Sequence, residues 1–261
     1  MSDLYIFRNT LRELNRPGRL WVNLLLVLLP AALALAARAA AGSRFRPETV
    51  YGNVASSLIF GFLLVILAVV NGTGVLSQEI EQKTITYLLT RPVPRWRLLL
   101  LKFLAAFLMV TVTVCASCLL VALTLFGVGR LSGAPIGRDL LILPVGALAY
   151  GALFVLMATL LQRPLMYGLL FAFGWESWVP NLPGYFRRVS LMTYLRVLAP
   201  HSREEPETLD IAQVATTLPG TQDGIPHQMA WNVLIGFSVL ALMLALYTFS
   251  VREYVPRDET G

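Results

Sequence analysis

Cys115 and Cys118, His201 and His227, and two clusters of glycine are the residues of this 261-residue chain whose types and spacing could do chemistry. A Cys-x-x-Cys pair can exchange electrons as a dithiol or offer two thiolates to a metal. Here it lies inside the apolar run 103–126 with no further ligand in view, so helix packing is its expected use. The two histidines fall in a polar stretch, outside any His-Glu-x-x-His arrangement, and surface positions are expected for both; two ligands alone do not complete a metal site. Ser56, Ser57, Ser117 and Ser132 have no legible base beside them and read as helix-packing or loop residues. Gly127-Val128-Gly129 and Asn71-Gly72-Thr73-Gly74 lack the Gly-x-x-x-x-Gly-Lys-Ser/Thr pattern that cradles phosphate. At the ends of apolar runs they read as helix breakers. No catalytic residue, no metal site and no nucleotide cradle is expected in this chain, and therefore no enzyme.

The elements that hold these residues are set by composition. Hydrophobic residues make up 56% of the chain and charged residues 14%, and the mean hydropathy is +0.67, far from the balance of a soluble domain. A helix that crosses a bilayer needs about 20 mostly apolar residues, and the runs 20–37, 54–76, 103–126, 140–161 and 229–251 meet that need. A sixth run, 165–179, covers only about 22 Å at 1.5 Å per residue. The first run is too long for the core of a cleaved leader. Ahead of it, Leu4, Phe7, Leu11 and Leu14 form a stripe opposite Arg8, Arg12 and Arg16 until Pro17-Gly18, the pattern of a helix lying on a membrane surface. The expected fold is all-α: one polytopic membrane bundle over 1–261 with six transmembrane helices, an interfacial helix in 1–19, a cytoplasmic loop in 77–97 and an outer loop in 180–228. No internal repeat is visible.

The stretch SQEIEQKTITYLLTRPVPRWRLLLLK, from Ser77 to Lys102, is densely charged between two apolar walls. Ser77 is a suitable N-cap for a helix starting at Gln78, and Glu79 and Glu81 in the first turn complement its dipole. Glu79 and Lys83 stand four apart in the favourable order. Ile80, Thr84 and Leu88, flanked by Ile85 and Leu89, form the less polar face. Pro92 disfavours helix at Arg91, and Pro94 prevents its resumption before Arg95. A 12-residue helix is about 18 Å long, too short to span, and should lie along the membrane surface. Topology anchoring and lipid contact by Arg91, Arg95, Arg97 and Lys102 is one reading of this pattern.

The same residues, Glu79-x-Glu81-x-Lys83-Thr84-Ile85-x-x-Leu88-Leu89-x-Arg91-Pro92-Val93-x-Arg95, resemble the cytoplasmic loop of ABC-2 type transporter permeases, with Lys83 where a glycine is frequent. The resemblance implies that Glu79, Ile80, Glu81, Thr84, Ile85, Leu88, Leu89, Arg91, Pro92 and Arg95 belong to a coupling helix that docks on a separate ABC ATPase subunit. It also implies an export permease of the bacterial inner membrane, working with a second permease chain, identical or not, and contacting membrane lipids. ATP and Mg would be bound by the partner ATPase, with no cofactor in this chain and no nucleic acid. The alternative is a motor-independent channel or scaffold whose cytoplasmic helix binds lipid or protein.

Ionisable groups within the runs are few. Glu176 stands between Trp175 and Trp178, where an aromatic belt puts it at headgroup depth; interfacial solvation is the expected role and a place on the substrate pathway the other candidate. With six crossings and the amino terminus in the cytoplasm, twelve Lys and Arg fall inside and nine outside; five crossings give fourteen and seven. The charge rule favours five crossings but is weak for a loop as long as 180–228. Leu191, Leu195 and Leu198 on one side of 185–198, with Arg187, Ser190, Thr193 and Arg196 on another, fit a helix dipping into the outer leaflet. That piece would complete the short sixth run, so six crossings are expected.

Overall fold

The computed structural model describes residues 7–8, 10–12, 17–41, 46–81, 94–127, 136–181, 184–199, 201 and 225–251. Among them every regular element is helical. Helix α1 is Pro17–Ala41, with Pro30 inside it. Helix α2 runs over 47–81 as an α-helical start, Pro47–Val54, a π-helical stretch, Ala55–Leu63, and an α-helical remainder, Leu64–Glu81. Helix α3 is Arg95–Phe126, α4 is Ile136–Leu160, and α7 is His227–Val251. Among the described residues five helices are long and apolar enough to cross a membrane, each overlapping one of the five long runs.

The helix ends differ from the runs because backbone chemistry, not hydropathy, sets them. Pro47 starts α2 seven residues before the run, as its fixed φ and missing N–H suit a first turn. Pro94 is the N-cap of α3, and its carbonyl accepts from Arg97 N at 3.0 Å. At 32 residues, α3 is about 48 Å long and projects beyond a hydrocarbon core of about 30 Å. Gly127 ends it with φ 71°, the conformation a glycine adopts without steric cost. The other cluster does not break its helix: Asn71-Gly72-Thr73-Gly74 is continuous helix within α2. Where backbone groups must be satisfied internally, glycine stays helical and serves close packing. A Cβ on Gly72 would come 2.9 Å from Phe154 Cβ and 3.4 Å from the Gly151 carbonyl oxygen, so this glycine sets the approach of α2 to α4.

The short sixth run is helical throughout but not uniform. Helix α5, Pro164–Leu170, passes into a π-helical stretch, Phe171–Trp175, a last α turn, Glu176–Trp178, and a 3₁₀ turn, Val179–Asn181. It packs against α2 and α4: a Cβ on Gly168 would meet Val69 at 3.1 Å and Phe154 at 3.4 Å. After a 3₁₀ segment, Gly184–Val189, comes α6, Leu191–Leu198. Leu191, Met192, Thr193, Tyr194, Leu195 and Leu198 are all buried, so α6 is enclosed by protein on more sides than the single apolar face expected of it.

Two apolar clusters divide the bundle. One gathers Val75 of α2, Leu98 and Phe103 of α3, Val155 of α4 and Phe249 of α7, with Phe7 and Leu11 packed against it. We call this the near end, since residues 82–93 must connect there. The other holds the rest of the five long helices together with α6 and reaches the far end at Tyr51, Leu125 and Ile136.

Candidate functional site

Three places in the bundle hold the chemistry-bearing residues. At the near end, Phe7, Arg8, Thr10, Leu11 and Arg12 are helical. Phe7 and Leu11 face the cluster, while Arg8 and Arg12 are exposed, the division expected from their spacing. Arg97 lies over the Trp96 ring, 5.2 Å from its centroid, and Lys102 is buried. Of the proposed coupling residues, Glu79, Ile80 and Glu81 end α2, and Arg95 begins α3. Ser77 is interior to α2 and is not the N-cap expected of it; no proline or glycine follows Leu76 to stop the span, so the helix runs on. Thr84, Ile85, Leu88, Leu89, Arg91 and Pro92 lie outside the described residues.

Toward the middle of the bundle, Glu176 is turned inward, 5% exposed, while Trp175 and Trp178 are 44% and 72% exposed. A helix turns about 100° per residue, so tryptophans facing outward at 175 and 178 leave the intervening carboxylate to point in. Its Oε1 accepts hydrogen bonds from Tyr150 Oη, from Ser190 Oγ at 2.9 Å and from Met192 N at 2.5 Å. Oε2 is buried without a hydrogen bond. Tyr150 is on α4, and Ser190 and Met192 are the N-cap and second residue of α6. The carboxylate thus occupies the positive end of the α6 dipole and satisfies one of its orphan N–H groups. Interfacial solvation, the role expected of Glu176, is replaced by an internal one: it ties the short sixth run, α4 and α6 into one unit.

The depth of α6 follows from its neighbours. Gly146 lies about 15 Å into α4 at 1.5 Å per residue, and a Cβ there would meet Leu64 Cδ2 at 2.8 Å and Leu195 at 3.2 Å. Met192 Cε approaches Gly61, in the π-helical stretch of α2, at 3.9 Å from the position of a Cβ. Helix α6 therefore enters from the far end and reaches about half the thickness of the core.

A second polar knot closes the far end above α6. Tyr51 Oη donates to Asp139 Oδ2 at 2.6 Å and lies 3.2 Å from Cys118 Sγ. His201 Nε2 is 3.5 Å from Asp139 Oδ1, and the imidazole sits edge-on to Tyr51, with ring centroids 5.9 Å apart. The side chain of His201 is 4% exposed, so the surface position expected of it is not observed; burial follows from α6, which lies inside the bundle and ends at Leu198, three residues before. His227 is exposed at the start of α7, as expected. Cys115 and Cys118 are free thiols, and among the described residues no group of three or more His, Cys, Asp or Glu could hold a metal. Ser117 donates to the Val27 carbonyl at 3.2 Å, joining α3 to α1, the interhelical role expected of it.

The model of a known family, "ABC-2 family transporter protein", matches residues 4–252. The chain belongs to the ABC-2 family of transporter proteins. This ABC-2 protein is a multi-pass membrane permease, the membrane component of an ABC transporter. The match covers both polar knots and the whole coupling stretch, so the resemblance first carried by Glu79 to Arg95 extends over nearly all of the chain. No curated protein matches it.

Proposed function

We propose that this permease is an exporter of the bacterial inner membrane driven by a separate ABC ATPase subunit. The observation that carries the reading is the family match across residues 4–252. In this reading the near end faces the cytoplasm. The amphipathic turns at 7–12 lie there, packed on the ends of α2, α3, α4 and α7, with the projecting start of α3 beside them. Residues 1–19 then serve as the interfacial helix, 77–97 as the coupling loop and 180–228 as the outer loop of one domain.

The chemistry of the step is mechanical. The partner binds ATP and Mg and closes; the face formed by Thr84, Ile85, Leu88 and Leu89, bounded by Glu79, Ile80 and Glu81 before it and Arg91, Pro92 and Arg95 after it, receives that motion. Because α2 is continuous from Pro47 to Glu81, a push at residue 81 travels along one helix to the neighbours of α6. Six crossings, the run 165–179 among them, return the chain to the cytoplasm, and a second permease chain completes the transporter within the lipid. No ATPase site belongs to this chain.

Copurification tests this. The tagged permease, expressed in cells with a candidate ABC ATPase encoded beside it, should retain the ATPase through washing and lose it when Leu88 and Leu89 are both changed to Glu. Retention unaffected by that change would contradict the docking face.

A further inference from the structure

Helix α2 meets α4 at three heights. At the far end Tyr51 Oη donates to Asp139 Oδ2 at 2.6 Å. Farther in, a Cβ on Gly146 would stand 2.8 Å from Leu64 Cδ2, and toward the near end a Cβ on Gly72 would stand 2.9 Å from Phe154 Cβ. From Leu64 to Gly72 and from Gly146 to Phe154 each helix advances eight residues, so the two keep step. From Tyr51 to Leu64 α2 advances thirteen residues, while α4 advances seven from Asp139 to Gly146. The mismatch falls where the π-helical stretch Ala55–Leu63 lies. There the Leu64 N–H donates to the Ile59 carbonyl, five residues back, and a π turn takes in one residue more than the α turn it replaces. The same stretch bears on α6 and on the short sixth run. Met192 Cε lies 3.9 Å from the position of a Cβ on Gly61, and the ring centroids of Phe62 and Phe173 are 6.3 Å apart. Phe173 belongs to the second π-helical stretch, which ends at Trp175, beside Glu176.

We propose that Ala55–Leu63 is a register joint through which α2 holds α6 and releases it: the extra residue of the stretch moves along the helix between Tyr51 and Leu64 and turns only the residues it passes. Each N–H then passes from the carbonyl five residues back to the one four back. No backbone group is left unpaired in the exchange, as hydrocarbon surroundings require. A residue that is passed turns by about 100° and moves by about 1.5 Å, which takes Gly61 out from under Met192 and Phe62 away from Phe173. The head at Tyr51 and the part of α2 beyond Leu64 stay in place on α4, and Glu176 keeps α6 on α4. The use of this joint as a step in coupling rests on the function proposed above; its existence rests on the geometry alone.

Two single-residue deletions test it in the permease alone. Ser57 is exposed within the stretch, and its deletion should leave a plain α-helix with Tyr51, Leu64 and Gly72 still in register on α4. Val70, 47% exposed, lies in the part that keeps step with α4, and its deletion turns Gly72 away from Phe154 by about 100°. The midpoint of thermal aggregation should stay within about 2 °C of the parent for the Ser57 deletion and fall by at least about 8 °C for the Val70 deletion. Equal losses from the two overturn the proposal. Reconstituted with the candidate ABC ATPase encoded beside it, the Ser57 deletion should retain the ATPase but lose the stimulation of hydrolysis, because the joint is locked. Stimulation at the parent's level, or loss of the ATPase itself, overturns the proposal. A parent permease that neither retains nor stimulates the ATPase contradicts the coupling reading instead, and the deletion pair then decides the joint without it.

Discussion

Replacing Glu176 with Ala should be among the most destabilising single changes in the far half of the bundle. Tyr150 and Ser190 are fully buried and Met192 is 2% exposed, and all three donate to the one oxygen that Ala removes. A buried donor left without a partner costs about 1–3 kcal/mol, so three bound the effect between about 3 and 9 kcal/mol, and relaxation of the Ser190 hydroxyl brings it to about 4 kcal/mol. Gln keeps an acceptor at the same place and loses the charge at the α6 N-terminus, about 1–2 kcal/mol. At about 2–4 °C per kcal/mol for a chain of this size, Ala should lower the midpoint of thermal aggregation by about 10 °C and Gln by about 4 °C. Size-exclusion chromatography of the fluorescently tagged permease after heating in mild detergent reads both. Equal shifts for the two variants, or a shift for Ala below about 3 °C, would refute the view that the carboxylate is the common acceptor for α4 and α6.

Glycine contacts make a second prediction: Gly72→Val should cost about 1–3 kcal/mol by overpacking, since even a Cβ there meets Phe154 Cβ at 2.9 Å, whereas Gly236→Val on α7, where a Cβ meets nothing within 4 Å, should leave the same thermal midpoint unchanged. For topology, with Cys115 and Cys118 replaced by Ala, a cysteine at Thr221 should react with an impermeant thiol reagent from outside intact cells and one at Thr260 should not; the reverse pattern would establish five crossings. Nucleotide gives the fourth: purified alone, the permease should not be photolabelled by an ATP analogue, and labelling that survives washing would overturn the need for a partner.

The membrane spans were legible because crossing a bilayer demands a length of apolar sequence that little else in a protein requires. Their ends were less so: α2 begins at Pro47 and α3 at Arg95, positions chosen by proline geometry several residues outside the apolar runs. The buried helix α6 was visible as a leucine face at Leu191, Leu195 and Leu198. Its depth was not, since that depends on Gly146 and Gly61 making room on helices 45 or more residues earlier in sequence. Glu176 was singled out as an ionisable group in an apolar setting but placed in the wrong surroundings. Its acceptor role needs donors from Tyr150, Ser190 and Met192, which no local pattern joins, although Ser190 ahead of an apolar helix and the flanking tryptophans were usable signals. His201 gave no signal of its own, as its burial is a consequence of where α6 leads the chain.

Coupling to the ATPase is the central claim, and one measurement tests it most directly: ATP hydrolysis by the partner ATPase, reconstituted with this permease in liposomes, compared between wild type, Leu88→Glu and Gln82→Glu. A charge at Leu88 falls on the proposed docking face, and one at Gln82 on the opposite face. The account predicts that Leu88→Glu abolishes the stimulation of hydrolysis by the permease while membrane insertion is unchanged, and that Gln82→Glu retains it. Equal loss from both variants, or full stimulation with Leu88→Glu, would contradict it.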